Sequence, residues 1–165
     1  MKSITDQADF IILKNSLANK LKPGERGVSF LIGKQWAIVY DDSKSVEISR
    51  FTIAHELGHI FLGHSTLKGY HSRMFGKERP EIESEADMFA ARLLAPACVL
   101  HELGITSAEE IARVCKISIT AAEYRAERMQ ILEQRNAWYK SQLERQVIKQ
   151  FEKFIKESRS KNGTL

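Results

Sequence analysis

Residues 54–64 read A-H-E-L-G-H-I-F-L-G-H and hold three of the five histidines in this 165-residue chain. His55 and His59 stand four apart. On a helix that spacing sends both side chains off one face, about a turn apart. Their ring nitrogens can then share one ion at the usual zinc–nitrogen distance of roughly 2.0–2.1 Å. Glu56 follows the first histidine and points about 100° away around the helix, which suits a group acting beside a metal better than one bound to it. Phe51, Ile53, Ala54, Leu57, Ile60 and Phe61 pack this helix into a core, and polar side chains facing inward from it need partners. That setting favours a metal site over a helix merely rich in histidine. Gly58, inside the helix, costs about 1 kcal/mol against alanine, which points to a neighbouring segment or a substrate too close for a side chain. His64 lies beyond Gly63, off the ligand face, and reads as a rim histidine.

A catalytic zinc site has three protein ligands, so one is still to be found. Residues 80–96, P-E-I-E-S-E-A-D-M-F-A-A-R-L-L-A-P, offer Glu81, Glu83, Glu85 and Asp87. On a helix Glu83, Ala86, Asp87 and Ala90 share one face, while Glu85 points away with Phe89 and Arg92. The alanines let this helix approach the histidine helix closely. Glu83 then reaches the metal, with Glu85 as the alternative, and Asp87 accepts the second N–H of a ligating histidine, as outer carboxylates commonly do. Glu81 and Glu85 equally suit the N-terminal end of a helix dipole.

Outward from these two helices, Ser49 is the expected cap of a histidine helix over 49–63, with Gly63 just past its end. The second helix is expected over 81–95, stopping before Pro96. Residues 64–80 hold Gly69, Gly76 and Pro80 and read as a long loop, in which Tyr70 and His71 are candidate donors to an oxyanion or to substrate. Upstream, V-S-F-L-I and Q-W-A-I-V-Y, separated by Gly33-Lys34, predict a hairpin with a two-residue turn. Strand 35–40 is the expected site for an extended substrate to add. Phe10, Leu13, Leu17 and Leu21 recur at helical spacing, predicting an amphipathic helix over 5–21 that ends at Pro23-Gly24. Downstream, 107–115 reads as a short helix, and Ser118 or Thr120 opens a last helix running to about residue 157. The fold class is therefore α+β and mostly helical, with a small sheet or hairpin, a helix-turn-helix-like pair and a long C-terminal helix.

Composition narrows the setting. Hydrophobic residues make up 43% of the chain, enough for a real core, and no apolar run approaches the roughly 20 residues of a membrane span. The opening M-K-S-I-T-D-Q-A-D-F lacks an apolar signal core, so a cytoplasmic protein is expected. Cys98 and Cys115 form no C-x-x-C pair and are expected as buried thiols. Residues 1–120 carry 15 basic and 15 acidic side chains, while 121–165 carry 10 and 6, so the whole net charge of +4 belongs to the C-terminal segment. Three regions follow: a catalytic domain over 1–120, the helix pair over 107–130, and a basic helical extension over 131–165. The helix pair would carry Arg125 and Arg128 into a DNA major groove if it read DNA, but Glu123 and Glu127 alternate with them and weaken a phosphate-facing surface. In the extension, Leu132, Tyr139, Leu143, Val147, Phe151 and Phe154 or Ile155 make a stripe broken at Asn136, suited to self-association or to folding back on the core.

R-F-T-I-A-H-E-L-G-H, followed by E-x-E-A-D-x-F-A-A-x-L-L-x-P and then by E-E-I-A-R-V-C-K-I-S-I-T-A-A-E-Y-R, closely resembles the ImmA/IrrE family of zinc metallopeptidases over about residues 28–130. The resemblance implies His55, His59 and Glu83 as ligands of one zinc ion per chain and Glu56 as the catalytic glutamate. It also implies a gluzincin-like, zincin-type core and endopeptidase activity on a protein substrate. That substrate would be a DNA-binding transcriptional repressor, cleaved in an anti-repressor role within a mobile element or stress circuit. The family often has methionine at the position of Ala95. The alternative function is a metal-bound DNA- or protein-binding regulator without turnover, against which the intact Glu56 argues.

Overall fold

A three-stranded mixed sheet underlies the histidine helix. The computed structural model describes residues 10–64 and 81–162, and its contacts divide the chain into two compact units, Met1–Ala90 and Ala91–Leu165. In the first, β1 (Phe10–Lys14), β2 (Gly27–Ile32) and β3 (Gln35–Tyr40) line up in the order β1-β3-β2. β2 and β3 form the expected hairpin, with Ile32 opposite Gln35 across Gly33-Lys34 and Gly33 at φ +63. β3 is central and buries Ala37, Ile38 and Val39 completely, in keeping with a run of apolar and β-branched residues covered on both faces.

The first segment departs from the sequence expectation. Phe10–Lys14 is a strand paired parallel to β3, with Phe10 opposite Trp36 and Lys14 opposite Tyr40. Among the described residues of this segment only Asn15–Ala18 (α1) is helical, and Asn19 ends it in the left-handed region at φ 47. The supposed helical stripe is no inward face, since Leu17 is 81% exposed. F-I-I-L is instead a continuous apolar run with two β-branched residues, a pattern that helix and strand share at this length. Asn15 then turns the chain by accepting the N–H groups of Lys20 and Leu21 at its side-chain oxygen.

The histidine helix, α2 (Val46–Phe61), packs against β2 and β3. Its cap is Ser45, whose hydroxyl accepts from the N–H of Ile48 at 3.4 Å, so the helix starts earlier than a cap at Ser49 would allow. It ends at Leu62, after which Gly63 adopts φ +78. α3 (Glu81–Leu94) follows, contributing its residues up to Ala90 to this unit. Phe61 bridges the elements, its ring 5.8 Å from Phe10 and 5.8 Å from Phe89.

In the second unit, α4 (Ala97–Glu102) begins directly after Pro96. α5 (Ala108–Cys115) and α6 (Ile119–Gln134) are capped by the hydroxyls of Ser107 and Ser118, which accept from Glu110 and Ala121 N–H groups. Leu100, Ile111, Ile117, Ala122 and Met129 form their common core. Arg125 lies inside it, 8% exposed, donating from Nε to the Ala95 carbonyl at 2.5 Å. Burial and the neighbouring charge of Arg92 push its pKa down to about 10. One of the two arginines that a DNA-reading helix would present is therefore buried and ties α6 to the Ala95 carbonyl. Cys98 is buried and Cys115 half-buried, both as thiols.

The long terminal helix does not form. α6 stops at Gln134, Asn136 and Tyr139 take left-handed backbone conformations, and Ser141 with Glu144 builds a capping box that starts α7 (Gln142–Gln150). α8 (Glu152–Asn162) follows at once. The tail folds back on its own unit: Ile155 is buried with Cys98 and Val99, flanked by Val147 and Ile148, and Arg159 donates to the carbonyl and carboxylate of Glu102. Among the described residues, no helix is long and apolar enough to cross a membrane.

Candidate metal centre

α2 and α3 bring their polar faces together because neither carries bulk where they touch. A Cβ added at Gly58 would lie 3.1 Å from the Ala86 Cα and carbonyl oxygen and 3.2 Å from the Phe89 Cβ. Ala86 and Ala90 are fully buried on the facing side. The segment that excludes a side chain at Gly58 is thus α3 itself. Replacing Gly58 by valine is expected to destabilise the fold by about 1–3 kcal/mol through overpacking, and to lower zinc content because α3 carries Glu83. Thermal melts with metal analysis test this; a variant as stable and as zinc-rich as the parent would show that the contact is dispensable.

Across that junction the Nε2 atoms of His55 and His59 lie 2.9 Å apart. Glu83 completes a triangle, its oxygens 3.3 Å from His55 Nε2 and 3.4 Å from His59 Nε2. Among the described residues, these three form the group of His, Cys, Asp or Glu side chains able to hold a metal ion. A tetrahedral ion with bonds of roughly 2.0–2.1 Å has donor–donor edges of about 3.3 Å, so the set fits zinc. His59 is wholly buried, and the side chains of His55 and Glu83 are 15% and 13% exposed.

The outer contacts fix which nitrogens face the centre. Asp87 Oδ1 lies 2.7 Å from His55 Nδ1. An ionised carboxylate only accepts, so Nδ1 carries the proton and Nε2 of the neutral ring presents a lone pair inward. Two imidazole lone pairs and a carboxylate converging in a largely dry space require a cation. Without an ion at the centre, a proton on His55 meets the same demand. Burial works against a charge on His55, but the bonds to Asp87 and Glu83 and the charge of Glu56 outweigh it and raise its pKa to about 9. Burial, together with the charge of His55, lowers His59 to about 4.

Glu56, 2% exposed, projects from α2 towards β2. Its Oε2 accepts the Ser29 hydroxyl at 2.8 Å. Gly27 makes the approach of strand and helix possible, since a Cβ there would sit 2.4 Å from the Thr52 Cγ2 and 3.2 Å from Glu56 Cγ. Nothing in V-S-F-L-I marks a serine as the partner of a glutamate 27 positions on, so neither β2 residue stands out in the sequence.

His64 corrects the sequence reading. It is 5% exposed, with Nδ1 3.1 Å from His59 Nδ1 and Nε2 3.0 Å from Glu85 Oε2. A helical wheel continued past Gly63 places it at the rim, but the left-handed glycine turns the chain inward. Glu85, the alternative ligand, contacts His64 rather than the metal triangle. Tyr70 and His71 lie outside the described residues.

No curated protein matches the chain. The family model Peptidase_M78, described as the IrrE N-terminal-like domain, matches residues 8–127, which takes in both strands of the hairpin, the histidine helix, α3, α5 and the first part of α6. This chain belongs to the Peptidase_M78 family of IrrE N-terminal-like domains.

Proposed function

We propose that this protein is a zinc-dependent endopeptidase that cuts a protein substrate, with His55, His59 and Glu83 holding the metal and Glu56 acting as general base and acid. The observation that carries the reading is the convergence of two imidazole lone pairs and one carboxylate beside a buried glutamate. Bound there, zinc supplies Lewis acidity, which polarises a scissile carbonyl and brings the pKa of water towards ~7. Glu56 takes the proton of the attacking water and returns it to the departing amine. Ser29 holds Oε2 of that carboxylate and limits its rotation.

Substrate placement follows from the strand order. β3, the strand expected to receive an extended peptide, is paired on both sides and has no edge to offer. Among the described residues β2 is an edge strand, and it lies beside Glu56, so strand addition there brings a peptide to the site. Counting back from the two-residue turn, Leu31 directs its N–H away from β3. Leu31→Pro removes that donor and leaves the bonds to β3 intact. It is expected to lower kcat/KM roughly 2–15-fold, the worth of one hydrogen bond, with zinc content unchanged. Full activity in this variant would argue against the edge.

The resemblance to the ImmA/IrrE peptidases makes a DNA-binding repressor the proposed substrate, and a repressor from the same genome is the one to try. Incubation of that repressor with the zinc-loaded chain, followed by mass analysis of the products, is expected to give two defined fragments. An intact repressor would remove this substrate assignment and leave the peptidase reading to other proteins. The rival reading, a DNA-binding regulator, is weakened by Arg125, whose guanidinium is committed to Ala95.

A further inference from the structure

Two contacts in a row connect the wholly buried His59 to a carboxylate at the surface. Glu85 Oε2 lies 3.0 Å from His64 Nε2, and His64 Nδ1 lies 3.1 Å from His59 Nδ1. The His59 Nε2 at the far end faces the metal triangle. The rings of His59 and His64 stand edge to face, their centroids 5.2 Å apart and their planes at 64°. Glu85 is 45% exposed on its side chain, whereas that of His64 is 6% exposed.

Proton bookkeeping along this chain has one solution for neutral rings. The carboxylate of Glu85 only accepts, so the His64 Nε2 carries its proton. A neutral imidazole has one N–H, which leaves His64 Nδ1 as an acceptor. His59 Nδ1 must then be the donor between the two rings, and His59 Nε2 is left with its lone pair directed at the centre. With the opposite tautomer, His59 would present an N–H where a metal must bind. His55 obtains the same orientation directly from Asp87. His59 obtains it through His64, whose other ring nitrogen is held by Glu85.

We propose that His64 is a positioning residue which, held by Glu85, fixes the tautomer of His59 and so prepares the second zinc ligand. This rests on the metal reading given above. Both carboxylates come from α3, as does Glu83, so a single helix supplies one ligand and orients the two histidines of the other. Gly63 is part of the device, since its φ of +78 turns the chain so that His64 returns beneath α2.

Zinc affinity of the full chain, measured by competition with a chelator, tests the proposal on His64→Ala, His64→Asn and Glu85→Ala. His64→Ala is expected to lose about 10–100-fold in affinity, the usual cost of removing an outer partner of a ligating histidine. His64→Asn should recover most of that loss, because its side-chain carbonyl can accept from His59 Nδ1. Glu85→Ala should show a smaller loss in the same direction, at a site exposed enough to leave the packing undisturbed. Nitrogen NMR of the imidazoles gives a readout that packing alone would not move. The metal-free parent should carry the His59 proton on Nδ1, and His64→Ala should shift it towards Nε2. Unchanged affinity and an unchanged His59 tautomer in His64→Ala would overturn the proposal, as would an asparagine variant no better than alanine. A parent chain that binds no zinc would overturn the metal reading itself, a result distinct from either.

Discussion

Glu56→Gln is expected to slow peptide hydrolysis by about 10²–10⁴-fold, the usual contribution of a positioned general base. Glutamine has the same shape, and its carbonyl oxygen still accepts from Ser29, so the β2–α2 contact survives. What it lacks is the ability to take a proton from water and return it to the amine. Zinc content, thermal stability and KM should therefore stay near those of the parent, with the loss confined to kcat. Steady-state kinetics on zinc-loaded protein check this directly. A variant that keeps parental turnover would remove Glu56 from the chemistry, whatever the metal does.

Glu83→Ala should act at the preceding step by losing the metal. The carboxylate closes the triangle with oxygens 3.3 and 3.4 Å from the two Nε2 atoms, and two imidazoles alone leave the ion without the anionic ligand that offsets its charge. The fall in zinc affinity should exceed the 10–100-fold typical of an outer partner, and activity should vanish with it. Glu85→Ala gives the contrast: its contact is with His64, so zinc should be weakened but retained. Zinc content by elemental analysis separates the two glutamates, and equal zinc in the parent and Glu83→Ala would sink the ligand assignment.

The stretch around His55 was legible because a period of four on a packed helix leaves few alternatives. The hairpin was equally plain, since Gly33-Lys34 divides two β-branched runs and one two-residue turn fits them. Glu83 and Asp87 followed from helical spacing together with small residues at 86 and 90, and the structure brings both against the histidine pair.

Other elements were hidden for reasons that lie beyond local pattern. F-I-I-L is too short for periodicity to separate strand from helix, and its state is set by pairing with β3, a partner more than 20 residues away. The C-terminal helix reads as continuous because apolar residues keep helical spacing across a gap, yet left-handed Asn136 and Tyr139 break it before Ser141 caps the next helix. His64 was misplaced because one glycine angle decides its direction. Ser29 was invisible because its role depends on how closely β2 lies on α2, which Gly27 permits. The spacing of His55, His59, Glu83 and Asp87 is a local pattern, while the placement of His64 and Ser29 depends on tertiary geometry.

The most direct test of a zinc peptidase centred on these residues is a metal titration of the chelator-stripped full chain against a cleavable protein substrate. Activity should return in proportion to zinc and saturate at one equivalent per chain, and Glu56→Gln should bind the same equivalent with turnover lower by about 10²–10⁴-fold. Cleavage that persists after the metal is stripped, or parental turnover in zinc-loaded Glu56→Gln, would contradict the account.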